Sequence, residues 1–173
     1  MASTSTSTTS STTLPVPGTP RGIAIDPQSR FAYVAIMGGD LLVRVSLNTL
    51  REVGQIYVGS NPRTVVLSPT GQFAYLTLNI PGDVTKVNLA TGHVVAVQHI
   101  GVLCRSLVIS SDATALYAVS YGSSTVTELA ASSLTVLQSV HVPEDPIGIT
   151  YDPLTHDVWV SSCSGYITRF ATR

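Results

Sequence analysis

Leu67-Ser68-Pro69-Thr70-Gly71-Gln72-Phe73-Ala74-Tyr75-Leu76 reads as the end of one strand, a tight turn and the start of a second strand, and it comes back along the chain. The turn recurs as Asp26-Pro27-Gln28-Ser29, Ser110-Ser111-Asp112-Ala113 and Asp152-Pro153-Leu154-Thr155. The aromatic residue recurs between small apolar neighbours in Ala32-Tyr33-Val34, Leu116-Tyr117-Ala118 and Val158-Trp159-Val160. Upstream, Thr19-Pro20-Arg21-Gly22 returns as Asn61-Pro62-Arg63-Thr64, Leu103-Cys104-Arg105-Ser106 and Asp145-Pro146-Ile147-Gly148. Three landmarks keep one spacing of 42 residues. A fixed period of that size marks stacked units that bury their faces against one another.

The units run 19–60, 61–102, 103–144 and a shortened 145–173. Within the first, Gly22–Asp26, Phe31–Met37, Leu41–Leu47 and Val53–Val58 are rich in β-branched and aromatic residues and are separated by turn residues. Pro and Gly at that spacing, with so much Val and Thr, disfavour helix. The strands are apolar on both sides, as strands are in a sheet covered on both faces. Four-stranded sheets of ~42 residues, each set between neighbours, predict an all-β chain: a β-propeller of four blades. The last unit stops after its third strand. Val16-Pro17-Gly18-Thr19-Pro20 lies three periods before Val142-Pro143-Glu144-Asp145-Pro146, so residues 10–18 are expected to supply the missing outer strand and close the ring. Residues 1–9 are expected to be a loose Ser/Thr tail, and 10–173 a single domain.

Composition fits this picture. Charged residues are 11% of the chain, against roughly 25% in an average soluble domain. One lysine (Lys86) and three glutamates exclude a helical bundle or coiled coil. The formal net charge of −1 gives no basic surplus for phosphate neutralisation, so nucleic acid is not an expected partner. No stretch approaches 18 consecutive apolar residues, and membrane insertion is not expected. Met1 to Thr13 has neither the basic start nor the apolar run of a signal peptide.

The best-matching segments, Leu67–Leu76 and Val87-Asn88-Leu89-Ala90-Thr91-Gly92, resemble the YVTN-type (YncE-like) β-propeller repeat family. The resemblance covers residues 19–173 and is specific for fold rather than function. Most members of that family have seven blades. Four blades leave two options: a small closed monomer, or a homodimer in which two chains make eight blades. The resemblance implies a surface-layer, periplasmic, secreted or receptor-sensor setting, hence an extracytoplasmic location. It also extends to lactonase and lyase propellers, which hold a metal at the axis through carboxylate, Asn or His groups, and that pattern is not reproduced here.

Arg21, Arg63 and Arg105 recur at one offset, just before the innermost strand, where propeller residues ring the channel mouth. Three guanidiniums there suit a carboxylate, phosphate or sulfate through forked hydrogen bonds. The alternative is that each arginine pairs within its own loop. Ile147 at the fourth place breaks the ring. Gly22, Thr64, Ser106 and Gly148 are all small, as converging inner strands require. Met37–Asp40, Asn79–Asp83, Tyr121–Ser123 and Cys163–Gly165 complete the same face. Tyr33, Tyr75, Tyr117 and Trp159 read as packing between blades rather than a sugar-stacking ladder. His99 and His141 fall on outer strands of different blades, and no three or four convergent ligands make a zinc site. No G-x-S-x-G elbow occurs, so no catalytic residue and no cofactor is assigned. Cys104 and Cys163, on loops of adjacent blades, are a candidate disulfide; two separate small buried residues are the alternative. The sequence therefore points to a non-enzymatic module that binds a small anion or a protein partner at the channel mouth. A lactonase- or streptogramin-lyase-like enzyme and a self-assembling structural unit are the alternatives.

Overall fold

The computed structural model describes residues 11–172. The expected tail, residues 1–9, lies outside the described residues, as does Ser10. Among the described residues there is no helix. Fifteen strands follow one another: β1 (Pro20–Ile25), β2 (Phe31–Ile36), β3 (Leu41–Ser46), β4 (Arg51–Tyr57), β5 (Pro62–Leu67), β6 (Phe73–Leu78), β7 (Asp83–Asn88), β8 (His93–His99), β9 (Cys104–Ile109), β10 (Ala115–Ser120), β11 (Thr125–Ala130), β12 (Val136–His141), β13 (Pro146–Tyr151), β14 (Asp157–Ser162) and β15 (Tyr166–Ala171). They form four antiparallel sheets in sequence order, β1–β4, β5–β8, β9–β12 and β13–β15, which are the four blades.

The twofold strand period explains the composition. Because β2, β6 and β10 carry apolar side chains on both faces, each is buried almost throughout. Their Tyr33, Tyr75 and Tyr117 face the following blade, while Ala74, Leu76, Leu116, Ala118, Val158 and Val160 face the preceding one. Three cores result, one between each pair of consecutive blades. The outer strands β4, β8 and β12 are largely exposed.

In the first three blades the recurring Asp or Ser before the turn ties the first hairpin, whereas the Asp152 carboxylate of the fourth accepts from Leu154 and Thr155 within its turn. Asp26 Oδ1 accepts from the Arg30 amide at 2.6 Å and the Phe31 amide at 2.8 Å. Ser68 Oγ accepts from the Phe73 amide, and Ser110 Oγ from the Ala115 amide, both at 3.0 Å. Each side chain satisfies a donor at the start of a buried strand that would otherwise be unpaired.

The blades do not close into a ring. Inner strands pack in sequence, β1 on β5, β5 on β9 and β9 on β13, and no comparable contact joins β13 to β1. The expectation that residues 10–18 complete the fourth blade is corrected by the structure. Among the described residues that blade has three strands, and residues 11–16 form none. Leu14 and Val16 lie instead on Ala32, Val34, Ile36, Val43 and Val45, the face of the first blade that no other blade covers. The reason is geometric. The segment leads directly into β1, and β13 makes no comparable contact with β1. The nearest apolar surface the segment can shield from water is therefore its own blade.

Burial would raise the Asp26 carboxyl, but bonds from the Phe31 and Arg30 amides and the Arg30 guanidinium outweigh it and hold the pKa below its ordinary value. A group depressed on folding contributes stability above its unfolded pKa, and that stability is lost as pH falls through the folded value. Asp26→Ala is expected to cost about 1–3 kcal/mol at neutral pH in urea unfolding, with the gap from the parent chain shrinking as the solution is acidified below the ordinary carboxylate range. A gap that stays constant with pH would show that the ionised carboxylate does not hold the hairpin.

Candidate functional site

The inner ends of β1, β5 and β9 bring Arg21, Arg63 and Arg105 into one place. Each follows a blade start that is tied to the loop between the second and third strands of its blade. The Met37 amide donates to the Thr19 carbonyl, Asn79 to Asn61, Tyr121 to Leu103 and Cys163 to Asp145, at 2.8, 2.9, 3.1 and 2.9 Å. These four bonds place the loops and the arginines at the same end of the molecule, as the repeat predicts. The strands then approach closely, and Thr64 Oγ1 donates to the Arg105 carbonyl at 2.8 Å.

The three arginines line one shallow depression of ≈ 280 Å³ with Gly22, Thr64 and Ser106, and Ile147 closes its far side. Burial lowers the Arg63 pKa, and the positive charges of Arg105 and Arg21 lower it further. The guanidiniums thus lie close enough to repel one another. Among the described residues none of the three makes an ion pair. Arg105 lies over the Tyr121 ring at 4.6 Å, and its buried Nε has no hydrogen-bond partner. Asp145 acts on Tyr121, where its hydrogen bond and negative charge raise the hydroxyl pKa. Arg105 thus meets a ring in its own blade's loop, and among the described residues no carboxylate forms an ion pair with any of the three arginines. Tyr121, the first residue of the Tyr121–Ser123 loop, meets Arg105 beside the depression; this contact has no marker in the repeat, because the equivalents Met37 and Asn79 are not aromatic.

A second depression, ≈ 470 Å³, lies between the third and fourth blades. Its ionisable groups are already engaged. The Tyr117 hydroxyl donates to Glu128 Oε1 at 3.2 Å, Tyr151 Oη and His156 Nδ1 are 2.7 Å apart, and Asp112 accepts from Ser110 and Thr114. Burial, with Glu128 adding to it, pushes the Tyr117 hydroxyl up to about 12. Elsewhere, His99 Nδ1 meets Asp83 Oδ1 at 2.8 Å on an exposed outer edge. Among the described residues no three His, Cys, Asp or Glu side chains converge to hold a metal ion.

The expected packing role holds for Tyr33, Tyr75 and Tyr117, each 3–4% exposed, whereas Trp159 is 39% exposed because no blade among the described residues covers it. The expected Cys104–Cys163 bridge is corrected: both cysteines are free. Cys104 is buried at the start of β9 with its thiol turned to Ser120 Oγ at 3.4 Å, while Cys163 is exposed on the loop after β14.

No protein-family model matches this chain, and no curated protein matches it. Solved structures do. Hydrazine synthase of Kuenenia stuttgartiensis superposes with a TM-score of 0.79 at 17% identity, over 87% of this chain and 44% of that one. A protein of unknown function from Desulfotomaculum acetoxidans gives 0.73 at 14% identity, over 86% and 54%. A 6-phosphogluconolactonase candidate from Bacteroides uniformis gives 0.79 at 14% identity, over 89% and 50%. At these identities the likeness shows the fold alone, and that fold is of the β-propeller type. The chain spans about half the length of the structures it matches.

Burial pushes the Cys104 thiol up to about 11. Only thiolates alkylate, so in iodoacetamide labelling at mildly alkaline pH one thiol, Cys163, is expected to react readily and Cys104 at least about tenfold more slowly until the chain is unfolded. Equal rates for both thiols in the folded chain would contradict this placement of Cys104.

Proposed function

We propose that this chain is a non-enzymatic binding module whose ligand-binding residues are Arg21, Arg63 and Arg105, and that its ligand is a small anion, a carboxylate, phosphate or sulfate, free or carried on a partner protein. The carrying observation is that three guanidiniums share one depression without an ion pair. Like charges gathered this closely repel one another, and an anion relieves that repulsion while meeting several donors at once. Ser106 adds a hydroxyl to the lining, while the Thr64 hydroxyl is given to the Arg105 carbonyl. Arginines, glycines and hydroxyls at the axis favour an anion over a metal, which calls for carboxylate or imidazole ligands. The resemblance of the repeats to the YVTN-type family supports reading the scaffold as one of that lineage and its setting as extracytoplasmic.

The reading is tested by thermal unfolding with phosphate, sulfate and citrate against chloride at matched ionic strength. The parent chain is expected to gain roughly 1.4 kcal/mol when an anion stands at about ten times its Kd, and Arg63→Ala to lose most of that gain. Without anion, Arg63→Ala should be as stable as the parent or more so, because a repulsive charge is gone. Arg51→Ala, a change on the exposed outer strand β4, serves as the control and should respond like the parent. Equal anion responses in the parent and Arg63→Ala would overturn the proposal.

A further inference from the structure

The two ends of the arc differ from each other, and each is one half of a contact that the chain already makes three times. At an internal junction the inner strand of one blade lies close on the inner strand of the next. A Cβ on Gly22 would stand 2.8 Å from the Arg63 carbonyl oxygen and 2.9 Å from the Thr64 Cα, so only glycine fits β1 against β5. Gly148 holds the same repeat position in the fourth blade. A Cβ there would meet only Ser161 Oγ, at 2.7 Å, within its own sheet. The room for a following strand is present and unfilled.

The middle strands tell the same story. The cross-strand pairs Tyr33–Arg44, Tyr75–Lys86, Tyr117–Glu128 and Trp159–Arg169 occupy one place in the four sheets. In the second blade the Tyr75 hydroxyl and the Lys86 ammonium both donate to the Ala131 carbonyl of the third, each at 3.0 Å. In the third, Tyr117 stacks on Tyr151 of the fourth with ring centroids 6.0 Å apart. Trp159 and Arg169 have the same outlook and no blade before them.

The first blade presents the other half. Ile23 is 66% exposed, while Val65 and Leu107 at the same repeat position are 4% and 3% exposed. Ile25 on the same strand is 56% exposed. Leu14 and Val16 cover only the β2–β3 part of this face.

We propose that a second copy of this chain occupies both ends: the fourth blade of each copy packs on the first blade of the other, closing an eight-bladed ring. The chain carries both halves of the junction, so two copies leave neither half over. A head-to-tail contact of this kind closes when its rotation divides a full turn and otherwise grows into a filament. In the single chain Leu14 and Val16 stand in for the missing blade, and the incoming Trp159 face displaces them. The proposal is independent of what binds the arginines.

Sedimentation velocity and light scattering on the full chain, over about a hundredfold range of concentration, test it. The mass is expected to rise to twice 18.2 kDa and stop there. Ile167 of β15 lies two residues from Arg169, on the same face as Trp159. Ile23→Asp and Ile167→Asp change side chains that are 66% and 75% exposed, so the chain should keep its circular dichroism while each variant stays at single-chain mass. Leu14→Asp with Val16→Asp loosens the competing segment and should lower the half-association concentration several-fold. Single-chain mass in both the parent and the Leu14/Val16 variant would overturn the proposal. So would growth beyond two copies, or a dimer indifferent to Ile23→Asp and Ile167→Asp.

Discussion

Everything in this molecule depends on the close approach of one inner strand to the next. The approach is set by a single small residue per repeat: Gly22 faces the Arg63 carbonyl, and Thr64 donates to the Arg105 carbonyl. A larger side chain at either place would push the blades apart and open the cores that hold Tyr33 and Tyr75. Because the residue before each small one is arginine in three repeats, the contact that packs the blades also gathers the guanidiniums. The candidate site is thus a consequence of blade packing, and it needs no loop of special conformation to assemble it. The cost of placing three like charges together is carried by the cores between the blades.

The repeat made most of the fold legible. The recurring turn, the aromatic and the small residue placed all four sheets in order, and the two-sided apolar strands marked β2, β6 and β10 as central. The Asp or Ser before each turn was readable as a turn residue, though its bonds to the amides of Phe31, Phe73 and Ala115 needed coordinates. Curvature was not legible. The same 42-residue pattern is compatible with a tight ring or a wide one, because the angle between blades follows from how deeply side chains such as Tyr33 and Lys86 interleave with the next sheet. That left the terminal segment to be matched by register alone. Leu14 and Val16 do bury themselves, but on the blade they adjoin.

The site was legible by position and not by partners. Arg21, Arg63 and Arg105 share an offset, and the structure brings them to one depression; whether each had a carboxylate of its own could not be read from one sequence. Tyr121 under Arg105 lies outside the repeat and so left no periodic trace. The cysteines misled for the opposite reason. Loops at one end of adjacent blades suggested a bridge, yet the Cys104 thiol turns inward to Ser120 and away from the loop. Side-chain direction at a strand's first residue is set by the pleat, which spacing alone does not give.

Trp159 is the single tryptophan of the chain and sits on the open face of the fourth blade, 39% exposed, where its counterparts in the other blades are covered. It therefore reports directly on whether that face is the unfilled half of a blade-to-blade contact. Acrylamide quenching of its fluorescence should be measured as the chain is concentrated. A several-fold fall in quenching, with emission moving to the blue, is the result this account predicts. Quenching that stays the same at every concentration would contradict it.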